Sequence, residues 1–199
     1  MNLRKVTKLP EYEGFPLNQN GEKVGLYVAI LDNILNQKDA MLSYHGKVFG
    51  IRFDLRFSEE MELDPKDESK VISDFFYKLK QLLSAKKSGS LKRIAYVWVK
   101  EVEKAKHGHF HCILYVDGNK IRKTGTQKAG IHSLICNAWN SITGAPSGCV
   151  EMCDSHMLTR DIDSQQEFVY HVSYLAKSRG KGLHAGLKNH GRSRLKSKA

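Results

Sequence analysis

The sequence predicts an α+β fold in which helices cover an antiparallel sheet. Three observations predict it. Hydrophobic periods change along the chain mostly in the order α-β-α-β-β-α-β-α. Val48–Phe57 alternates strictly, with Phe49, Ile51, Phe53, Leu55 and Phe57 on one side and Arg52, Asp54 and Arg56 on the other. Two β-rich runs, Ile94–Val102 and His109–Val116, are joined by a short polar stretch, Glu103–Gly108. That connection suits a hairpin and is too short for a helical crossover.

Taken in order, residues 1–20 carry Pro10, Gly14 and Pro16 without a period and read as an irregular arm. From Lys23 to Tyr44, Val24, Tyr27, Val28, Leu31, Ile34 and Leu35 recur at three and four, which is a helical face, and Gly46 ends it. The strand Val48–Phe57 follows. Pro65, after Asp64, opens a second helix with Asp67 and Glu68 in its first turn. Val71, Phe75, Phe76, Leu79, Leu82 and Leu83 form its buried stripe. The basic loop Lys86–Arg93 leads into the hairpin. A third helix runs over Thr126–Ile142, closed by Gly144 and Pro146, and Cys149–Cys153 is a short strand. The last helix spans Ser164–Ser178, with Gly180 just past its end. The chain divides into an N-terminal arm and helix (1–45), a central domain (46–178) and a basic tail (179–199).

Composition narrows the function. A net charge of +11 over 199 residues points to a polyanionic partner, of which nucleic acid is the commonest. From Lys177 to Ala199 there are eight Lys or Arg and no acid. This tail and the loop Lys86–Arg93 are the expected contacts to a phosphate backbone. No run approaches the roughly 18 apolar residues of a membrane span, so no membrane partner is expected. Met1–Pro10 lacks the apolar stretch of a secretory signal, and the expected location is the cytoplasm. Cys112, Cys136, Cys149 and Cys153 show no C-x-x-C pair and read as reduced thiols.

Two constellations carry chemistry. In a strand, residues two apart share a face, so His109 and His111 present two imidazoles side by side while Phe110 enters the core. Neutral imidazole is a common metal ligand. Across the hairpin, Glu101 can bring a carboxylate to the same ion, with Glu103 the nearby competitor. His107, at the turn, reads as accessory. The second constellation is Tyr170-His-Val-Ser-Tyr174-Leu-Ala-Lys177, where positions i, i+4 and i+7 put both phenols and the ammonium on one helical face. A tyrosine near a metal can attack a phosphodiester, and a lysine one turn away can offset charge on the phosphate.

Together these residues resemble the HUH endonuclease superfamily, whose signature is a His-hydrophobe-His strand and a tyrosine helix. The string Tyr96-Val-Trp-Val-Lys-Glu-Val-Glu103 is similar to replication proteins of filamentous phages (inoviruses) and prophages, including the YagK/YfjJ C-terminal-like family. In that family the carboxylate ligand precedes the histidines by one hairpin, which Glu101 matches. Their last motif, Ser-Tyr-Leu-x-Lys, is matched by Ser173–Lys177. The tyrosine follows the histidines, as in replication initiators and unlike conjugative relaxases. The paired tyrosines are similar to those of two-tyrosine phage initiators, although a lysine between them is here Ser173.

The resemblance covers about Val48–Lys177. It implies a five-stranded antiparallel sheet (the HUH nuclease fold) and makes 46–178 the nuclease domain. It further implies a rolling-circle replication initiator in a bacterial host cell. His109, His111 and Glu101 would hold Mg2+ or Mn2+, Tyr174 would form a 5′-phosphotyrosine, Lys177 would assist, and Tyr170 would resolve the adduct. The implied substrate is single-stranded or hairpin origin DNA. A host helicase and polymerase are the further partners, since no helicase segment or Walker A loop occurs. The alternatives are a single-strand HUH transposase, separated by substrate choice, and a non-catalytic origin-binding protein, which would form no covalent adduct.

Overall fold

Five strands build the sheet that the alternation predicts: β1 Val48–Leu55, β2 Ala95–Glu101, β3 His109–Asp117, β4 Val150–Leu158 and β5 His190–Arg192. The computed structural model describes residues 5–19, 25–61, 64, 67–85, 91–102, 107–179 and 188–198. The strand order is β5-β2-β3-β1-β4, with every neighbouring pair antiparallel. Alternation along each strand then makes two cores. Phe49, Ile51, Phe53 and Leu55 of β1, with Phe110, Cys112 and Leu114 of β3, meet helices α2 (Glu68–Ser84) and α3 (Gly130–Thr143). On the other face Val48, Val97, Val99, Ile113, Tyr115 and Leu158 meet α1 (Val28–Tyr44) and α4 (Asp163–Ser173). Both faces are covered, so β1 is buried at seven of its eight positions, including Asp54.

The site lies on the α1/α4 face, and Gly50 sets how close α4 comes. A Cβ there would lie 2.8 Å from the Phe168 ring, so the helix seats directly on the backbone of β1. Phe168 itself is fully buried. Fully burying a side chain of that size contributes about 1.5–3 kcal/mol, which fixes α4 before any polar contact is counted.

Several ends differ from the sequence reading. The first helix starts at Val28, because Leu26–Tyr27 pairs with Val6–Thr7 in a short ladder; Lys23 and Val24 lie outside the described residues. The arm is not irregular throughout: Glu11–Tyr12 pairs with Phe15–Pro16 across the turn Glu13-Gly14. Strands of two residues are too short to show a period. Pro65 and Lys86–Ser90 lie outside the described residues, as does Gly180. Thr126 belongs to a short ladder with Ala129, and the third helix begins at Gly130.

Two corrections bear on the site. The fourth strand does not stop at Cys153 but runs to Leu158. Its register shifts opposite Arg52/Phe53, and its second half presents Asp154 and His156, so the alternation is broken in sequence. The basic tail is also part of the sheet. His190–Arg192 pairs with Val97–Val99 at the edge. Lys100 N–H donates to Asn189 O (2.7 Å) and Ser193 N–H to Tyr96 O (2.9 Å). Gly191 lies against Trp98, where a Cβ would be 2.6 Å from the indole nitrogen. His-Gly-Arg carries no β-branched or alternating signal, so tertiary contacts make this strand. Among the described residues, no helix is long and apolar enough to cross a membrane.

Candidate metal and tyrosine site

The ends of β2 and β3 bring the first constellation together. Glu101 is the register partner of His109, and His111 stands two residues further along the same face. One ligand atom from each of Glu101, His109 and His111 lies within 4.8 Å of the others. His111 Nε2 is 2.8 Å from Glu101 Oε2 and 3.1 Å from His109 Nε2. Glu101 is 1% exposed and His111 8%. The group can hold a metal ion: two imidazole nitrogens and a carboxylate converge on one point from rigid strands.

Asp54 was missing from the sequence reading as a site residue. It pairs in register with His111, and its Oδ1 lies 2.8 Å from His111 Nδ1. A carboxylate on the second nitrogen fixes the tautomer of a ligating histidine and leaves Nε2 for the ion. Burial opposes charge on His111, but the hydrogen bonds to Asp54 and Glu101 outweigh it and raise its pKa. Burial first, then His111, lowers the pKa of His109 and keeps that ring in the neutral, lone-pair form. Burial likewise opposes the charge of Asp54, yet the hydrogen bond with His111 holds its carboxyl below the usual range. The only sequence signal for Asp54 was an acid on the polar side of the best strand.

The tyrosine segment closes over this group. The α-helix ends at Ser173, not Ser178, and Tyr174–Ala176 tightens into a 3₁₀ turn. The backbone leaves the helix there because Lys177 bridges to Leu26 and Ser178 N–H donates to Gly25 O (2.8 Å). Ser173 and Tyr174 keep helical backbone angles, so Tyr174 stands one turn on from Tyr170, and the chain departs from the helix only at Lys177, whose ψ is 136°. Lys177 folds back, its Nζ 4.4 Å from the Tyr174 ring centre and 2.9 Å from the phenol oxygen. The same ammonium lies 2.9 Å from Glu101 Oε1. Lys177 thus joins the metal-ligand group to Tyr174 directly. Burial disfavours its charge, but the bonds to Tyr174 and Glu101 prevail and raise its pKa. Tyr170 is exposed at 39% and has a ring contact with His171.

The remaining residues named from sequence divide plainly. His107 packs edge-on against Phe57 and its Nε2 lies 2.6 Å from Met61 O, outside the ligand group. Glu103 lies outside the described residues. Ser173 is fully buried, accepts the Asn18 N–H (2.9 Å) and donates to Tyr170 O (2.7 Å). It ties the arm to the tyrosine helix. The cysteines are free, with Cys112 and Cys136 buried. Burial pushes the Cys112 thiol well up.

A family model for the YagK/YfjJ C-terminal domain matches residues 15–193. The chain belongs to that family. The YagK/YfjJ match runs from the arm through all five strands and includes both constellations. No curated protein and no solved structure matches the chain.

The same face of this YagK/YfjJ domain carries a second group that the sequence reading missed: Asp154 and His156 of β4 with His171 of α4. Asp154-Ser-His156 obeys the same two-residue rule as His109-Phe-His111. The premature end assigned to β4 helped to hide it.

Proposed function

We propose that this protein is a metal-dependent tyrosine nuclease of the HUH type that nicks and joins single-stranded DNA to initiate rolling-circle replication. One observation carries the reading: a single ammonium, Lys177, touches both the carboxylate of the Glu101/His109/His111 group and the oxygen of Tyr174. A passive binding module has no need of a phenol held at a metal-ligand group.

Glu101, His109 and His111 would hold Mg2+ or Mn2+, which when bound supplies Lewis-acid polarisation and charge neutralisation at a phosphate. The chain's own groups do the rest. Asp54 keeps His111 in the ligating orientation. Lys177 stabilises negative charge at the Tyr174 oxygen as its proton leaves for water. That oxygen attacks the scissile phosphorus: the Tyr174 O–P bond forms, the P–O3′ bond breaks, and the 3′ oxygen takes up a proton. The products are a 5′-phosphotyrosine and a 3′-OH from which a host polymerase extends. Tyr170, exposed on the preceding turn, is assigned the second transfer that releases the circle. Away from the site, Lys80, Lys92, Arg93 and Arg194 line a groove with Tyr77, which is 68% exposed. Cations interleaved with an aromatic suit a single strand. The substrate is a hairpin or melted origin, with a host helicase as the partner that opens duplex ahead of synthesis.

The test is covalent-adduct formation. Labelled single-stranded hairpin DNA and Mn2+ are incubated with the protein and resolved on a denaturing gel. A shifted band in wild type and Tyr170→Phe, lost with EDTA and in Tyr174→Phe, is the expected result. Absence of any adduct across a broad hairpin set, despite EDTA-resistant binding, would sink the nuclease reading.

A further inference from the structure

The geometry points to a second metal site in this chain, formed by Asp154, His156 and His171 and distinct from the Glu101/His109/His111 group. The three residues offer one ligand atom each within 4.8 Å of one another, and all three are half-buried, so an ion can enter from solvent. His156 Nε2 lies 3.0 and 3.1 Å from the two oxygens of Asp154, and His171 Nδ1 lies 2.7 Å from Oδ2. Both imidazoles therefore turn a nitrogen toward the same carboxylate from two different elements. The arrangement partly repeats a detail of the first group. There, the strand histidine His111 points Nε2 at its partners while a carboxylate, Asp54, stands behind Nδ1. Here the strand histidine His156 points Nε2 at Asp154, while Glu167 Oε2, on a mostly exposed side chain, stands on the Nδ1 side at 3.6 Å, beyond hydrogen-bond distance. A carboxylate behind the second nitrogen is the usual support of a metal-bound histidine.

Ligand chemistry allows both groups to be probed with the same ions. Two imidazoles and one carboxylate, the donor set at each, form a borderline set that takes Zn2+ or Co2+ readily, while at the first group the phosphate and water oxygens of a bound strand would add the oxygen donors that suit Mg2+ or Mn2+. Position gives the ion its role. Asp154 and His156 stand on β4, and His171 stands on α4 between Tyr170 and Tyr174. An ion at this point cross-links the tyrosine helix to the sheet, so its occupancy positions the nucleophile's helix and leaves Glu101, His109 and His111 to the chemistry. Without an ion, the two rings share the Asp154 carboxylate, which is a weaker clamp than a coordinated metal.

The ions are counted with no DNA present, so the result does not depend on nicking. Full-length protein freed of metal is titrated with Zn2+ by calorimetry and with Co2+ by visible absorption. Wild type is expected to take two ions per chain. His156→Ala/His171→Ala and the near-isosteric Asp154→Asn each take one, His109→Ala takes one, and the combination of His109→Ala with His156→Ala/His171→Ala takes none. Saturating Zn2+ raises the melting temperature of His109→Ala and leaves that of the combined variant unmoved. An ion count that is the same in wild type, Asp154→Asn and His156→Ala/His171→Ala overturns the second site. A missing ion in those variants alone, with His109→Ala unaffected, overturns the first group instead.

Discussion

Lys177 is the residue on which the candidate chemistry turns, because its single charge serves two masters. Its ammonium lies 2.9 Å from Glu101 Oε1 and 2.9 Å from the Tyr174 oxygen. An ammonium beside a ligand carboxylate repels a divalent ion, whereas beside a phenolate it stabilises the attacking group. Lys177→Met should therefore split the two functions. Mn2+ affinity rises several-fold, while the rate of adduct formation falls about 10- to 100-fold, as expected for losing roughly 1.5–3 kcal/mol of charged hydrogen bond. Calorimetry and single-turnover nicking read the two quantities separately. A parallel fall in both would mean that the lysine serves only to hold the fold. Much of this residue-scale picture was legible in sequence, since Glu101, His109, His111, Tyr174 and Lys177 meet as their spacing and resemblance implied. Asp54 and the Asp154/His156/His171 group were not, because an acid or histidine on a polar strand face looks the same whether it meets water or another imidazole.

At the scale of elements, the strand that delivers Glu101 is pinned from its opposite face. Lys100 points to the α2/α3 side and forms a salt bridge with Glu68, the first residue of α2. Both are almost fully buried, at 4% and 1%. Breaking such a pair leaves one uncompensated buried charge and costs about 3–5 kcal/mol, while replacing both partners with apolar groups is near neutral. Glu68→Ala should lower the urea midpoint sharply, and Glu68→Leu/Lys100→Met should recover most of the loss. If Glu68→Ala shifts the midpoint no more than a surface substitution, the pair does not anchor β2. In sequence Glu68 was only an acid in a first helical turn, a dipole partner, and nothing local announced that it reaches across to a strand. The same limit explains the misplaced helix end. Tyr170 to Lys177 has helical spacing, but the backbone of Lys177 finds a better partner in Leu26, and tertiary pairing outweighs a local period.

For the whole molecule, the C-terminal segment decides between two meanings of a positive charge. Read as sequence, residues 179–199 are a DNA-contacting tail whose loss weakens binding and leaves the nicking chemistry intact. In the structure residues 188–198 supply the edge strand β5 and run along α1. Ser193 Oγ bonds Gln37, Gln37 Nε2 donates to Leu195 O (3.2 Å), and Lys198 N–H donates to Ser43 Oγ (2.8 Å). These contacts satisfy Gln37, which is fully buried in α1. Truncation after Arg179 therefore strips partners from β2 and leaves a buried amide unpaired, at roughly 1–3 kcal/mol for that group alone. The expected result is a drop of about 6–12 °C in Tm, taking roughly 3 kcal/mol in total at about 2–4 °C per kcal/mol for a chain of this size. Charge and fold can be separated, because Arg192, Arg194, Lys196 and Lys198 are exposed while Ser193 between them is buried. Replacing those four cations with Gln keeps every backbone contact of the segment. That variant should melt within a degree or two of wild type yet bind single-stranded DNA more weakly, with a flatter dependence on salt. A salt dependence equal to wild type would confine the segment to its structural role and assign the phosphate contacts to Lys80, Lys92 and Arg93.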